Sequence, residues 1–360
     1  MINLYTYHLP FKKPFSTGSG TYIERSGVIV RFQQEDIDAI SEAAPLPGYS
    51  PDNLEEVQSY LAENRSSIDQ FFRSNFELSS LIFWLNGLPE LPSLQFAIST
   101  LGIEIFCQRN EILLSKLTGR FPNQHLQING VIGTGSPKEL IGKAEKLKVD
   151  GITTLKCKVS NSPSELANTL RKIHETIPGL RFRLDANQSW PIDKIEEYSA
   201  LFDELPIDYI EEPAVHQTEK ELDTIIAACQ LPVALDESIV NAGALKKLAK
   251  REDIAAFIIK PSKIGNILDL FDTFRARDHL INRCVFTTLL ESGVGRKIVA
   301  KTAALFGSKN MAHGLMTGAL FADDLVEGPN AVDGVINMED SIGFGVRFQN
   351  INQQLVEQVT

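Results

Sequence analysis

The sequence has few cysteines, and none of them lie close together. Its 360 residues include four, and no Cys-x-x-Cys pair occurs. Because a chain of this length can bury a large core without disulfide bonds, we interpret Cys107, Cys157, Cys229 and Cys284 as reduced and mostly buried. A disulfide-stabilised secreted domain is therefore not expected.

Long apolar runs and a secretion signal are also lacking. No apolar run approaches the roughly 20 residues that a membrane-spanning helix needs. Residues 1–15 lack the charged start, apolar centre and small-residue cleavage site of a signal peptide. We therefore expect a cytoplasmic protein with no membrane partner.

Basic residues are outnumbered by acidic ones. Lys and Arg total 35 against 46 Asp and Glu, which gives a formal net charge of -11. Nucleic acid binding needs clustered positive charge, so no nucleic acid partner is expected. A small-molecule carboxylate substrate would have to be held by local cations, because the overall field does not attract it. The sequence leaves the oligomeric state unknown.

A repeated pattern runs from about residue 124 to residue 320: a short apolar run, a turn and an amphipathic stretch. This alternation predicts parallel strands with crossover helices. The candidate strands are residues 126–130, 151–159, 181–187, 207–213, 232–238, 256–262, 284–292 and 311–317. Eight strands close a (β/α)₈ barrel. A doubly wound sheet is the alternative, but its glycine-rich phosphate motifs, GxGxxG and GxxxxGK[ST], do not occur.

The expected fold is therefore α/β: a (β/α)₈-type, TIM-like barrel with an N-terminal α+β capping domain completed by the C-terminal tail. The N-terminal region begins with strand-like runs at 3–9 and 27–32 and continues with helical stretches. The predicted boundaries are 1–122 for the capping domain, 123–325 for the catalytic barrel and 326–360 for a C-terminal segment that packs back on the capping domain.

Charged residues recur at the ends of consecutive predicted strands, where a barrel of this type forms its active site. Side chains alternate along a strand, so Lys156 and Lys158 share one face of theirs. On the next strand Arg183, Asp185 and Asn187 share a face in the same way. The three strands that follow end in Glu-Glu-Pro, Asp-Glu-Ser and Lys-Pro-Ser.

Three carboxylates, those of Asp185, Glu211 and Asp236, would then converge and raise each other's pKa unless a cation lay among them. Oxygen-only ligands favour Mg²⁺, for which Mn²⁺ could substitute. A single acid after a strand is more often a helix cap or a surface charge, but charges recurring in phase at consecutive strand ends favour a metal site. A neighbouring lysine gives Lys158 a route to a lowered pKa and so to proton abstraction.

Weaker signals receive structural interpretations. His313 is expected to be a packed core histidine, and Trp190 a packing residue. The small residues of the 16–20 run would suit a lid over the barrel mouth.

The chain resembles the enolase superfamily, muconate-lactonizing subgroup, over nearly its whole length. The motifs that carry the resemblance are Lys156-x-Lys158, Asp185-x-Asn187, Glu211-Glu212-Pro213, Asp236-Glu237-Ser238 and Lys260-Pro261. The resemblance implies that Asp185, Glu211 and Asp236 bind Mg²⁺, that Lys158 removes the proton α to the substrate carboxylate, and that Lys260 is the cation opposite. Lys156 is grouped with these catalytic lysines. The residues expected to bind substrate or support the site are Arg183, Asn187, Glu237, Ser262, Glu291, Ser292 and Gly293.

Two further stretches, 42–50 and 291–295, are similar to the o-succinylbenzoate synthase family of menaquinone biosynthesis. That similarity implies a dehydration in which Lys158 removes the α-proton, an enediolate forms, and the same lysine then assists departure of hydroxide. The alternatives are an N-succinylamino acid racemase or a dipeptide epimerase with the same lysine pair. Dipeptide epimerases usually carry Asp-x-Asp after strand eight, whereas the first acid after that predicted strand is Asp323. A barrel without catalysis is the rival of another class, against which the intact charged positions argue.

Overall fold

The structure is a computed structural model that describes residues 1–17, 20–159 and 163–359. The predicted lid over 16–20 falls partly outside these residues, so it stays a prediction. No helix in the described ranges is long and apolar enough to cross a membrane.

Strands and helices alternate through most of the chain. The strands are β1 (Ile2–Thr17), β2 (Gly20–Gln34), β3 (Ile37–Ala43), β4 (His125–Gln127), β5 (Asn129–Gly133), β6 (Thr154–Lys158), β7 (Arg181–Asp185), β8 (Ile207–Glu211), β9 (Val233–Leu235), β10 (Ala256–Ile259), β11 (Cys284–Phe286), β12 (Val335–Asn337) and β13 (Val356–Val359). The α-helices are α1 (Leu54–Glu63), α2 (Arg65–Arg73), α3 (Leu78–Leu85), α4 (Pro92–Arg109), α5 (Leu114–Thr118), α6 (Pro137–Val149), α7 (Pro163–Thr176), α8 (Ile195–Ala200), α9 (Glu219–Ala228), α10 (Ala242–Leu248), α11 (Pro261–Ile264), α12 (Ile267–Ala276) and α13 (Gly293–Phe306). Short 3₁₀ helices lie at Ile192–Lys194, Asp278–Arg283, Thr317–Leu320, Phe348–Asn350 and Gln353–Leu355.

The N-terminal region contains an antiparallel sheet in the order β13-β1-β2-β3. Strand β13 comes from the C-terminus, and its Val359 pairs with Leu4 of β1. The tail therefore completes the capping domain. The sheet packs on α4, whose long apolar sequence is buried on nearly every side.

The central element is a parallel sheet in the order β11-β10-β9-β8-β7-β6-β5. It closes through the segment around His313 and Gly314, which forms single parallel bridges to Ile128 on one side and Thr287 on the other. The predicted strand at 311–317 is therefore wrong as a regular strand, although the segment fills the eighth position. A side chain at Gly314 would meet the Thr287 hydroxyl at 2.5 Å, which shows how tightly this segment is inserted.

The barrel interior is filled by a small apolar cluster of its own. Its buried members are Tyr209, Ala234, Ala256, Ile258 and Val285. Because side chains alternate along a strand, Glu211, Asp236 and Lys260 point the same way one layer higher, each two residues after a member of this cluster. The larger core includes the outward-facing side chains of the barrel strands, which are covered by the helices, and it continues into the capping domain. This layering confirms the capped-barrel prediction and directs the charged residues to the barrel mouth.

The helix starts follow local capping chemistry. Thr218 caps α9 by accepting a hydrogen bond from the backbone amide of Glu221 at 3.2 Å, and Glu221 reaches back in a capping box. Ser136 and Glu139 begin α6 in the same way. These caps fix where α6 and α9 begin.

Candidate active site

The three predicted metal ligands lie side by side on neighbouring strands. Asp185 ends β7 and pairs in register with Glu211, which ends β8. Glu211 pairs in turn with Ala234 of β9, and Asp236 follows that strand. All three carboxylates are buried. The parallel register therefore brings them to one edge of the barrel.

Lys156 lies between two of these carboxylates. Its Nζ is 2.8 Å from Oδ2 of Asp185 and also donates to Oε2 of Glu211. Burial alone would lower the pKa of Lys156, but the two acids raise it well above its ordinary value. Lys156 is thus a fixed positive charge inside the acid cluster.

Lys260 is the second cation of the mouth and binds the third acid. Its Nζ donates to both carboxylate oxygens of Asp236, at 2.7 and 2.6 Å. Burial opposes the charged form, but Asp236 raises the pKa of Lys260 above its ordinary value. Above the ammonium lies the half-buried ring of Tyr49, with the ring centroid 5.9 Å from Nζ. Lys260 therefore stays protonated at neutral pH.

The charges of the cluster do not cancel, because three carboxylates face two ammonium groups. Burial, with further contributions from Asp185 and Asp236, raises the pKa of Glu211 to about 7 even though Lys156 favours its ionised form. A group of buried oxygen donors with residual negative charge fits a hard divalent cation such as Mg²⁺. As they stand, no three His, Cys, Asp or Glu side chains in the described ranges form a ready metal-binding group. The lysines occupy oxygens that a cation would take.

Lys158 ends β6 directly opposite Asp185 in register. It is exposed and lines a cavity of about 110 Å³ together with Gly133, Thr134 and Glu165. Among the described residues Lys158 forms no ion pair with the three carboxylates. It therefore differs from Lys156 in being accessible to solvent.

Asn187 and Glu237 form a bridge beside the acids. The Asn187 side-chain amide donates to Oε1 of Glu237 at 3.0 Å, and its backbone amide donates to Oδ1 of Asp185 at 3.1 Å. The other oxygen of Glu237 is buried and finds no hydrogen-bond partner in the described part of the chain. Both predicted residues thus lie against the acid cluster.

Arg183 lies one layer below the mouth. Its guanidinium donates to Oδ2 of Asp208 at 3.2 Å and to the carbonyl of Ala312 at 2.6 Å, and it stacks on the ring of Tyr209 at 4.8 Å. The structure therefore places this predicted site residue within the barrel interior, where it holds the closing segment.

The remaining predicted residues lie where the barrel meets the capping domain. The Ser262 hydroxyl donates to Glu291, and the Ser292 hydroxyl donates to Glu42 at 2.6 Å. The backbone amide of Gly293 donates to Asp324 at 2.7 Å. These groups are buried and engaged with other protein groups.

Sequence reasoning missed Tyr49 as a residue of the mouth. It belongs to the 42–50 stretch that carried the resemblance, and an aromatic residue between Pro47-Gly48 and Ser50 is a usable signal for a functional loop. His313 and Trp190 are buried, which confirms their interpretation as packing residues.

Comparisons with known proteins agree with this architecture. Residues 139–351 match a family described as enolase C-terminal domain-like, and residues 1–105 match the MenC N-terminal domain.

Individual relatives are distant but cover most of the chain. The D-Ala-D/L-Ala epimerase of Cytophaga hutchinsonii is 24% identical over 97% of this chain and 95% of its own. The o-succinylbenzoate synthase of Klebsiella pneumoniae is 25% identical over 84% of this chain and 86% of its own. The fold matches the dipeptide epimerase from Cytophaga hutchinsonii, solved with Mg and the dipeptide D-Ala-L-Val, with a TM-score of 0.82, 22% identity and coverage of 100% and 99% of the two chains. The chain is therefore an enzyme that belongs to the enolase superfamily.

Proposed function

We propose that the protein is an o-succinylbenzoate synthase, which dehydrates 2-succinyl-6-hydroxy-2,4-cyclohexadiene-1-carboxylate to 2-succinylbenzoate. The observation that carries this choice is the match of residues 1–105 to the MenC N-terminal domain. This is the domain that presents Tyr49 to the barrel mouth. The similarity to the Klebsiella pneumoniae synthase supports the same choice.

Asp185, Glu211 and Asp236 would hold Mg²⁺ through their buried carboxylates. When bound, the ion supplies Lewis-acid stabilisation of the negative charge that develops on the substrate carboxylate. The dipeptide epimerase structure from Cytophaga hutchinsonii, solved with Mg and a dipeptide, supports this assignment by analogy.

Lys158 would take the proton from the carbon next to the substrate carboxylate. The resulting ammonium would then donate a proton to the departing hydroxyl group, so that one side chain serves as base and then as acid. Its exposure suits this role, because a base must reach a bound substrate. Lys156 is unsuited to it, since two carboxylates hold it protonated.

Lys260 would act as a fixed positive charge. The contacts with Asp236 keep it protonated, so it stabilises negative charge without exchanging a proton. A general base supplies only about 10²–10⁴-fold, whereas enzymes lower barriers by roughly 8–23 kcal/mol. Most of the acceleration must therefore come from electrostatic stabilisation at this site.

An epimerase or racemase is the second candidate. The similarity to the D-Ala-D/L-Ala epimerase over nearly the whole chain favours it. Against a dipeptide substrate stands the lack of acids at 311–322. The next acids are Asp323, which is exposed, and Asp324, which binds Gly293 and Arg296. This leaves no acid on the closing segment to hold a substrate amine.

The first experiment supplies the cyclohexadiene substrate with Mg²⁺ and then adds a chelator. We expect aromatic product only with metal, and a fall in kcat of about 10²–10⁴-fold in Lys158→Ala. Lys146→Ala is the matched control, because Lys146 is an exposed lysine on α6 away from the site. Product formation after complete chelation, or near-normal turnover by Lys158→Ala, would refute the proposal.

A second experiment separates dehydration from racemisation. N-succinylamino acids and Ala-containing dipeptides are incubated in D₂O, and exchange of the α-proton is followed by NMR. In a racemase each of the two lysines would remove the α-proton of one enantiomer. Lys158→Ala and Lys260→Ala would then each abolish exchange of one enantiomer only. Exchange that outpaces dehydration in the wild type would favour the second candidate.

A further inference from the structure

Glu42 is a buried carboxylate of the capping domain whose partners lie mostly on the barrel. It accepts hydrogen bonds from the amide of Ser292 at 2.8 Å, its hydroxyl at 2.6 Å and the amide of Gly295 at 2.7 Å. Tyr7 of the same domain donates to it as well. These barrel donors form the start of α13, where negative charge is favourable. Glu42 therefore fixes the start of α13 to the capping domain.

Gly295 shows how closely the two parts meet. A Cβ atom there would lie 2.6 Å from Cβ of Glu291 and 2.9 Å from Oε2 of Glu42. Two acids, one from the capping domain and one from the barrel, thus lie against the same glycine, where a larger residue would not fit.

Glu291 reaches from this junction towards Lys260. Its carboxylate accepts hydrogen bonds from the Ser262 hydroxyl and from the amide of Leu289, the latter at 2.7 Å. Ser262 is the second residue of α11, and Lys260 is the N-cap of that helix. Two amides of α11 bond to the Lys260 carbonyl at 3.0 and 3.1 Å. Ser262 therefore ties the backbone of Lys260 to Glu291.

Arg25 adds a second link between the capping domain and the same loop. Its Nε donates to the carbonyl of Leu290 at 3.0 Å, and its Nη1 donates to the carbonyl of Pro45 at 2.7 Å. Leu290 has a φ of 60°, a left-handed conformation that strains a leucine. Such a conformation persists only where neighbouring groups hold it.

We propose that Glu42 is a positioning residue for Lys260, acting through the start of α13, Glu291 and Ser262. The proposal rests on the function proposed above, in which Lys260 faces the reacting substrate. Through this path the capping domain would control the chemical step in addition to enclosing the substrate.

The test compares two matched variants, Glu42→Gln and Glu104→Gln. Glu104 lies in the same N-terminal region and is equally buried, at 1% exposure for both residues. Its hydrogen-bond partners in the described residues are Gln108, Arg347 and the amide of Phe344, which lie outside α11 and α13. Both substitutions keep the side-chain shape and remove an acceptor, so both are expected to lower the melting temperature.

The kinetic readout distinguishes positioning from stability. We expect Glu42→Gln to lower kcat about tenfold with KM within about twofold of wild type, because displacement of a supporting group costs roughly 10–100-fold. Glu104→Gln should keep kcat within about twofold. Equal losses of kcat in the two variants, or a normal kcat in Glu42→Gln, would overturn the proposal.

Hydrogen–deuterium exchange of the Pro261–Ile264 helix gives a readout that does not depend on activity. We expect faster exchange there in Glu42→Gln and in Ser262→Ala, and wild-type exchange in Glu104→Gln. If Glu42→Gln does not fold, Ser262→Ala alone tests the last link, and unchanged exchange in it refutes the path. If the wild type does not dehydrate the substrate, the proposed function fails, while the exchange result still decides whether Glu42 supports the Lys260 backbone.

Discussion

The buried carboxylates of the barrel mouth and those of the capping domain are satisfied by different partners. Asp185, Glu211 and Asp236 bind lysine ammonium groups. Glu42 and Glu104 bind backbone amides, together with hydroxyl, amide or guanidinium groups. A lysine has a flexible stem and can leave, whereas a backbone amide moves only with the fold. The acids of the capping domain therefore maintain the structure. The acids of the barrel mouth could exchange their lysine contacts for contacts with a metal cation.

The largest effect that would test this difference is expected from Asp236→Asn. Loss of one proposed metal ligand should reduce Mg²⁺-dependent turnover by about 10³-fold, since metal stabilisation is worth several kcal/mol and about 1.4 kcal/mol is tenfold. Unfolding without metal should change less than turnover, because loss of the Asp236–Lys260 ion pair is partly offset by loss of the repulsion between Asp236 and Glu211. Calorimetric Mg²⁺ titration, kcat and thermal unfolding are measured together. A variant that unfolds but still binds metal would show that the mouth acids are structural after all.

A second test uses a titratable group on the closing segment of the barrel. His313 is buried, accepts a hydrogen bond from the amide of Phe286 at 3.0 Å and donates to the carbonyl of Ser308 at 3.1 Å. Burial lowers its pKa from 6.5 to about 4. Between these two pKa values the unfolded chain binds more protons at this histidine than the folded chain does. The contribution of neutral, buried His313 to the free energy of unfolding is therefore fully present above pH 6.5 and is lost as the pH falls towards 4. The loss is about 3 kcal/mol at about 1.4 kcal/mol per pKa unit.

Urea unfolding between pH 7 and pH 4 measures this loss. Over this range His313→Gln should lose about 3 kcal/mol less stability than the wild type, and so show a shallower slope against pH. The exposed His8→Gln should keep the wild-type slope. Equal slopes in wild type and His313→Gln would mean that the histidine does not contribute to acid sensitivity.

Period-two alternation was enough to predict that Glu211, Asp236 and Lys260 lie in one layer of the barrel. In a parallel barrel, backbone geometry alone sends Glu211, Asp236 and Lys260 to the same end, so their placement needs no knowledge of packing. Strand β3 was missed because both of its faces are buried and it contains Ser41 and Glu42, which interrupt an apolar pattern. The sequence of such a strand resembles that of a loop, so the strand cannot be recognised before its pairing partners are known.

Contacts distant in sequence could not be predicted in the same way. Glu42 and Ser292 are 250 residues apart, and no local pattern pairs them. The ion pairs of Lys156 depend on side-chain rotamers, which a spacing argument does not contain. The closing segment at 311–317 forms only single bridges, at His313 and Gly314, and a pattern of apolar residues does not show how far such pairing extends.

A smaller effect is expected from Glu104→Gln, the structural counterpart of the Asp236 variant. One glutamine cannot accept from both Arg347 and the amide of Phe344, which bind opposite oxygens of Glu104. A buried donor left unsatisfied costs about 1–3 kcal/mol. The urea midpoint should fall by the corresponding amount with an unchanged m-value, and kcat should stay near wild type. A loss of activity without loss of stability would erase the distinction between the two sets of acids.

The smallest effect is expected from Tyr49, the capping-domain residue whose ring lies beside the lysine and carboxylate groups of the barrel mouth. Its ring lies 5.9 Å from the Lys260 ammonium, and the Tyr22 hydroxyl holds its loop by donating to the carbonyl of Pro47 at 2.8 Å. A cation–π contact is worth about 0.5–2 kcal/mol, so Tyr49→Ala should lower kcat/KM by about fivefold. Tyr49→Phe keeps the ring and should stay within about twofold. Were the two variants equally impaired, the phenol hydroxyl would be the contributing group; were both normal, the capping domain would influence Lys260 only through its buried, fixed acids.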